Sequence, residues 1–440
     1  MPGRHRSRTL AGGTRRISDP RGSFPYRGHF ASVSTVERVE TTCCIAGGGP
    51  AGMMLGYLLA CAGIDVTVLE KHADFNRDFR GDTIHPSTLE LMHELGLLED
   101  FLEIPHQQMP QLRMTFEGKS FTIADFSHLP TQCKFIAFMP QWDFLNFLAE
   151  QAGRHASFRL RRETEATDLM REGDRTIGVR ARTPQGELRV TADLVVAADG
   201  RSSVLRDRAG LQVEDFGVPI DVLWLRIPRP PGCPSPSLGY AAGGRFMVLI
   251  DRGDYFQCGF IIPKGQFDAV RQRGMAAFRT EIAALAPFIE GQVAGLSDWS
   301  EVKLLTVEID RLLRWHRPGL LCIGDAAHAM SPALGVGINL AIQDAVATAN
   351  LIGPHLSAGS LQERHLHQVQ VRREAPARHL QAIQCFLHRR LFNPRAVKLG
   401  IGAWVISVLF RRLPFLRRVP GRIIGLGFKP EHIAPESRGS

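Results

Sequence analysis

Residues 41–52, TTCCIAGGGPAG, constrain this chain more than any other stretch, because a short apolar run ends there in glycines at the spacing Gly47, Gly49 and Gly52. Each glycine answers a separate steric need. In a GxGxxG turn the first permits the tight passage from strand to helix, the second lets backbone approach a phosphate, and the third lets the helix pack on the sheet. The helix expected over 51–62 then points its free N–H groups and positive dipole end at the pyrophosphate of a dinucleotide. Past Gly63 the sequence IDVTVLEK reads as a second strand ending at Glu70, an acid placed to accept hydrogen bonds from the adenosine ribose hydroxyls. Glycine-rich turns are common singly; strand, glycines, helix, strand and terminal acid in this order are not.

Two later segments decide which dinucleotide it is. Residues 194–206, LVVAADGRSSVLR, form a buried-looking strand ending in Asp199 and Gly200. Residues 319–345, GLLCIGDAAHAMSPALGVGINLAIQDA, form another apolar strand ending in Gly324 and Asp325, followed by a loop from Pro332 to Gly337 and a helix from about Ile338. Taken singly, Asp199, Gly200 and Asp325 would be ordinary turn residues closing strands. Together with GGGPAG, the two segments resemble the remaining fingerprints of the single-component flavoprotein aromatic hydroxylases. These are the class A FAD-dependent monooxygenases with the p-hydroxybenzoate hydroxylase fold, which include the 2-polyprenyl-6-methoxyphenol hydroxylase-like proteins. The resemblance runs over roughly residues 41–370.

That resemblance implies an α/β fold: a Rossmann-like FAD-binding domain, an interleaved and mostly antiparallel β-sheet substrate domain, and a helical C-terminal segment. Asp325, at a strand's carboxyl end, is placed to hold a ribityl hydroxyl of the flavin. The helix after Gly337 would face flavin N1 and the C2 carbonyl, where negative charge develops on reduction. Gly335 and Gly337 keep the backbone close, and Asn339 offers a polar contact. By resemblance, Asp199 serves both FAD and a visiting nicotinamide cofactor, Arg80 lies over the FAD phosphates, and Gln141 contacts the FAD ribose region. After Arg80, Ser87 is expected to cap an amphipathic helix carrying Leu89, Met92, Leu95 and Leu98.

The implied activity is monooxygenation of an aromatic, polyketide-like or quinol substrate with FAD, NAD(P)H as co-substrate and O2, through a flavin C4a-hydroperoxide. The cofactor carries the difficult chemistry, so no catalytic dyad is required of the protein, and none stands out. No second GxGxxG follows a strand, which argues against a dedicated nicotinamide domain. The WxWxIP signature of related halogenases is absent, leaving Trp224 and Trp315 as packing aromatics. A hydride-transferring reductase or desaturase of isoprenoid type, on the same fold, stays open, as does a flavin-binding protein without turnover.

Composition excludes other classes. At 440 residues, with 44% hydrophobic and 22% charged residues, the chain is an ordinary globular one with ample core. Its net charge of +9 resides in the ends: residues 1–40 hold eight Lys/Arg against three Asp/Glu, and residues 386–440 hold eleven against two. The stretch between them is mildly acidic, so nucleic acid is not an expected partner. Eight cysteines lack CxxC pairs and zinc spacings, and His85 and His328 lack metal-type partners, so no metal site is expected and a reducing, cytoplasmic setting is.

The expected organisation is a basic, disordered tail over 1–40, with no apolar stretch suited to a signal peptide. A FAD-binding domain follows over 41–103, 135–212 and 303–391, and a substrate domain over 104–134 and 213–302. The latter contains the strand-like runs LRMTF, FTIADF, DVLWLRIP, RFMVLID and YFQCGFIIP, and a helix at AAFRTEIAALAPFI. Helix is expected from Ala345 to about Leu391. The apolar and basic segment 392–440 contains residues 399–410, LGIGAWVISVLF, too short for the roughly 20 residues of a bilayer span. This run is read either as a core-packing helix or as part of a peripheral membrane contact through 396–430.

Overall fold

The computed structural model describes residues 36–76, 83–233, 237–390, 408–410 and 412–434. Residues 1–35 of the tail expected over 1–40, together with Arg80 and the greater part of the run 399–410, lie outside the described residues, whereas residues 37–40 of that expected tail are the start of the strand Glu37–Ala46. Two sheets position everything that follows.

In the first, the strand Glu37–Ala46 is central, pairing in parallel with Gly186–Ala197 on one side and Val66–Leu69 on the other. Phe158–Arg161 and Leu320–Cys322 extend the parallel run at its flanks. A strand covered on both faces calls for an unbroken apolar run rather than alternation, and residues 43–46, 66–69 and 194–197 are all buried. Helices Pro50–Cys61 and Gly337–Ser357 pack together beside this sheet. The register sets Ala46 level with Leu69 and Ala197, and Ala197 level with Cys322. Four times, therefore, the chain leaves the sheet at the same edge, into Gly47, Glu70, Asp199 and Asp325.

The second sheet has seven strands, in the order Lys303–Leu305, Ile220–Pro228, Tyr255–Pro263, Arg245–Asp251, Gly239–Ala242, Gln111–Phe116 and Lys119–Asp125. Its pairs are antiparallel apart from Gly239–Ala242 with Gln111–Phe116. The five strand-like runs of the sequence all fall on it. Gly239–Ala242 and Lys303–Leu305 escaped that reading because GYAA has no β-branched residue and KLL is three residues long. Along Tyr255–Pro263 the side chains alternate: Phe256, Cys258, Phe260 and Ile262 pack with Phe278 and Ile282 of the helix Met275–Leu285. Gln257, Gly259 and Ile261 line a cavity on the opposite face.

Two expectations need correction. Ser87 does not cap a helix: the helix is Pro86–Glu94, His85 is its N-cap, and Ser87 is buried within the first turn. Pro86 sets this start because its fixed φ suits the first helical position, where no N–H is needed. The apolar stripe also breaks after Met92, since Gly96 turns the chain at φ 71° and Leu98 opens a separate helix, Leu98–Leu102. The helical stretch after Ala345 is likewise two elements, Gly337–Ser357 and Glu363–Arg390.

The helix Arg418–Leu426 packs between the edge strand Lys119–Asp125 of the second sheet and the helix Pro86–Glu94. A Cβ on Gly421 would lie 2.1 Å from the Asp125 carbonyl oxygen, so only glycine lets the helix rest on the edge strand Lys119–Asp125. On the far side, His85 Nδ1 donates to the Ile424 carbonyl at 2.7 Å. Burial pushes the His85 ring down to about 4, so it is neutral at pH 7 and its proton is on Nδ1. No helix among the described residues is long and apolar enough to cross a membrane.

Candidate functional site

A cavity of about 1040 Å³ opens where the four strand ends meet the inner face of the second sheet. Gly47, Gly48, Gly49, Glu70, Gln141, Asp199, Gly200, Asp325, Pro332, Gly335 and Gly337 all line it. Gly52, Gly324 and Asn339 do not.

The glycine turn shows why each position is what it is. Gly47 has φ 108°, and a Cβ there would sit 2.2 Å from the Ala198 carbonyl oxygen. A Cβ on Gly52 would lie 2.0 Å from the Gly47 carbonyl oxygen, so this glycine seats the helix Pro50–Cys61 on the turn. Gly49 differs: nothing lies within 4 Å of the Cβ it lacks, which would project into open cavity. It is the N-cap of a helix with no side-chain cap and no acid in its first turn, leaving free N–H donors suited to a phosphate. Gly48, which sequence reasoning passed over, donates its N–H to Glu70 Oε2 at 3.0 Å, while Glu70 Oε1 accepts from the His72 N–H at 2.9 Å. Each carboxylate oxygen accepts more than one hydrogen bond, so Glu70 can brace the turn and still receive a ribose hydroxyl.

Asp199 is held differently. Its carboxylate accepts from Ser203 Oγ at 2.5 Å and the Leu205 N–H at 3.3 Å, ordering the loop that follows. Burial raises its carboxyl above the usual range, against the lowering effect of those bonds. Asp325 faces Arg201, whose Nη2 lies 3.4 Å from Asp325 Oδ2. Arg201 Nη1 is buried with no partner among the described residues, a donor that a hydroxylated or anionic ligand would satisfy. Gln141 begins the helix Gln141–Gly153 at the cavity edge. Gly337 begins Gly337–Ser357, again without a side-chain cap or a first-turn acid.

The Asn339 side chain is bonded within the protein. Its Oδ1 accepts from the His85 N–H at 2.9 Å and Thr88 Oγ1 at 2.8 Å, and its Nδ2 donates to the carbonyls of Thr83 at 3.0 Å and Gly335 at 3.4 Å. All four of its bonding positions are used inside the protein. Trp224 packs in a buried apolar cluster with Ile220, Val222 and Val307 and also lines the cavity, lying over Gly259, where a Cβ would come within 3.0 Å of its ring. Trp315 packs too, fully buried against His328 with ring centroids 4.9 Å apart.

Beneath Asp325 lies a buried ionic cluster that sequence reasoning missed. Asp344 accepts from His328 Nε2 at 2.6 Å, Arg373 Nε at 2.9 Å and the Gly324 N–H at 3.1 Å. Arg373 also reaches Glu431 at 3.3 Å, and Glu431 pairs with Arg372 at 2.8 Å. Burial alone would raise the Asp344 carboxyl, but His328 and then Arg373 outweigh it and hold it below the usual carboxylate range. The available hint was one acid in the otherwise uncharged run 337–354.

All eight cysteines are free, and burial pushes the thiols of Cys43, Cys44, Cys258 and Cys322 upward, away from nucleophilic chemistry.

Comparison with known proteins agrees with this geometry. The model of a family described as "FAD binding domain" matches residues 40–382. The chain is 32% identical over 388 residues to 6-methylpretetramide 4-monooxygenase of Streptomyces rimosus, covering 87% of this chain and 92% of that one. It is 29% identical over 327 residues to dialkyldecalin synthase of Streptomyces rugosporus, covering 70% of this chain and 64% of that one. Among solved structures, the anhydrotetracycline hydroxylase OxyS from Streptomyces rimosus shares the fold with a TM-score of 0.71 at 24% identity, over 88% of this chain and 76% of that one.

Two substitutions test the site. Gly49 has φ −76° and ψ −176°, a conformation valine adopts without strain, so Gly49→Val should fold normally while its methyls occupy the phosphate cradle. The purified variant should be colourless, with far-UV circular dichroism unchanged; full flavin occupancy would exclude this turn as the dinucleotide site. Asp344→Asn should cost about 3 kcal/mol at neutral pH, because the buried Arg373 and His328 lose the carboxylate they share and Arg373 keeps Glu431 as its remaining counter-charge. Because the Asp344 carboxyl is depressed on folding, its contribution is fully present above the unfolded carboxylate range and is lost as pH falls from there through the lower folded value. The variant's melting temperature should therefore vary less with pH below about 4 than that of the parent protein.

Proposed function

We propose, for a chain that belongs to the family of FAD-dependent class A aromatic monooxygenases, that it hydroxylates a polycyclic, polyketide-like aromatic substrate with NAD(P)H and O2. The observation that carries this reading is the continuity of the cavity. One end is built from four strand termini and two uncapped helix N-termini, and the other from an apolar sheet face with Ile220, Val222, Trp224, Val248 and Ile261. Its 1040 Å³ reaches the top of the range of about 300–1,000 Å³ for single-ligand pockets, as a site for a flavin ring and a multi-ring substrate together would require. The name of the Streptomyces rimosus relative supports the substrate class.

Gly47, Gly49 and the first turn of Pro50–Cys61 would hold the pyrophosphate, and Glu70 the adenosine ribose. Asp325, with Arg201, would take the ribityl side, and Gln141 the ribose region. The N-terminus of Gly337–Ser357 is placed to stabilise negative charge on the reduced ring. Held there, FAD would supply the redox chemistry by which NAD(P)H and O2 give one oxygen atom to the substrate and one to water. The apolar sheet face keeps bulk water from the reacting centre. Asp199 acts through the loop it orders, at the side where a visiting nicotinamide would approach.

The outer side of the C-terminal segment supports a second, peripheral role. Leu413, Phe415 and Val419 are exposed beside Arg412, Arg417 and Arg418, an apolar and cationic surface suited to anionic lipid. Each cation near such a surface contributes about 1 kcal/mol. The full chain should co-sediment with anionic vesicles at low salt and be released at high salt, and Phe415→Ser with Val419→Ser should weaken the binding. A chain that stays in the supernatant at low salt has no such contact.

The hydroxylase reading is tested with isotopically labelled O2 and a panel of polyphenolic anthraquinones. A substrate should accelerate NAD(P)H oxidation, consume O2 and yield a product containing one labelled oxygen atom. A product formed by reduction or ring closure, with no label incorporated, would replace hydroxylation by a different reaction on this fold.

A further inference from the structure

The three strands that wall the substrate end of the cavity are Ile220–Pro228, Arg245–Asp251 and Tyr255–Pro263. Their cavity-lining side chains are almost all apolar, and the buried polar ones among the described residues are Gln257 and the Trp224 indole. Gln257 is 5% exposed, and its register places it beside Ile250, one alternation from Gly259 and the Trp224 ring. A buried amide in such a wall is costly unless its groups are bonded.

One half of that amide is satisfied from behind. Arg252 Nε and Nη2 both donate to Gln257 Oε1, at 3.1 and 3.0 Å. A guanidinium has donors only, so the amide can take just one orientation: oxygen toward Arg252, NH2 away from it. Arg252 is itself held electrostatically by Asp143, on the helix Gln141–Gly153 that borders the cofactor end. The amide nitrogen has no partner among the described residues, and the residue lines the cavity. It is a fixed donor facing an apolar chamber, which a bound ligand must either satisfy or leave orphaned.

We propose that the Gln257 amide NH2, oriented by Arg252 as a positioning residue, fixes the substrate by donating to a carbonyl or phenolic oxygen on a polycyclic aromatic ring. The proposal rests on the hydroxylase reading of the cavity and adds the group that selects among aromatic ligands. A ring system of the same size without an acceptor would strand the buried NH2, and a site of this kind discriminates more strongly than shape alone.

The test is equilibrium dialysis of the FAD-loaded full chain against alizarin, a dihydroxyanthraquinone, and anthracene, its oxygen-free counterpart in ring size. Gln257→Leu removes the donor; Gln257→Glu removes it while keeping an acceptor for Arg252, so a folding defect in the first does not decide the outcome. Both variants should bind alizarin about tenfold more weakly, the size of one ordinary hydrogen bond, with anthracene binding unchanged. Arg252→Lys should keep most of the preference for alizarin and Arg252→Met should lose it. Equal losses for both ligands would make Gln257 a packing residue and overturn the proposal, as would alizarin binding that ignores Gln257→Glu. If the parent protein binds neither ligand, the aromatic-substrate reading of the cavity fails first and takes this inference with it.

Discussion

A carboxylate with no access to solvent has to be neutralised where it lies, and much of this molecule is arranged around that requirement at Asp344. Its three partners come from two separate places: the Gly324 N–H and His328 from the loop after the strand Leu320–Cys322, and Arg373 from the helix Glu363–Arg390. Arg373 then recruits Glu431 near the C-terminus. Asp344 is shared by His328 and Arg373, and Arg373 by Asp344 and Glu431, so the cluster behaves as a single fastening. It fixes Gly324 and, one residue on, Asp325, which faces the cavity. It also sets the depth of the helix Gly337–Ser357, whose N-terminus opens into the same space.

From that fastening the C-terminal strap follows. Glu431 ties the end of the described chain to the first sheet's side, while Gly421 lets the helix Arg418–Leu426 touch Asp125 of the second. Ile423 and Ile424 of the strap line the cavity, so the wall of the substrate end is held by charges buried beside the cofactor end. The neutral His85 ring completes the link, bonding the Ile424 carbonyl while its own backbone N–H goes to Asn339. The Asn339 side chain thus shapes the site through its bonds to Thr83, His85, Thr88 and Gly335.

How far the sequence could be read depends on what kind of constraint each residue answers. Gly47 and Gly52 answer backbone sterics within a few residues of chain, so their spacing was legible, as were the apolar strands that end at Glu70, Asp199 and Asp325. The parallel register that brings those ends level follows from strands buried on both faces. Ser87 misled because serine is a good cap in general, whereas Pro86 had already fixed the helix start. The bonds of the Asn339 side chain were not legible, because three of the four go to Thr83, His85 and Thr88, about 250 residues away in sequence. Asp344 and Arg373 lie 29 residues apart on different helices, and nothing local announces that they meet. Arg80 remains an expectation outside the described residues.

The two ends of the cavity are therefore specified in different ways. At the cofactor end, recognition is done by backbone donors and by close approaches that only glycine allows, and such constraints leave the same residue types at the same spacing in any chain that meets them. At the substrate end, recognition is done by which side chains an antiparallel sheet turns inward. Alternation along Tyr255–Pro263 could be seen in the sequence, but a strand with Phe256 and Phe260 on one face and Gln257 and Ile261 on the other does not say which face meets the cavity. That choice is made by the helix Met275–Leu285, whose Phe278 and Ile282 claim the more apolar face and leave the one with Gln257 for the ligand. The mixed face is the one that can discriminate, because a wholly apolar wall distinguishes ligands only by size and shape.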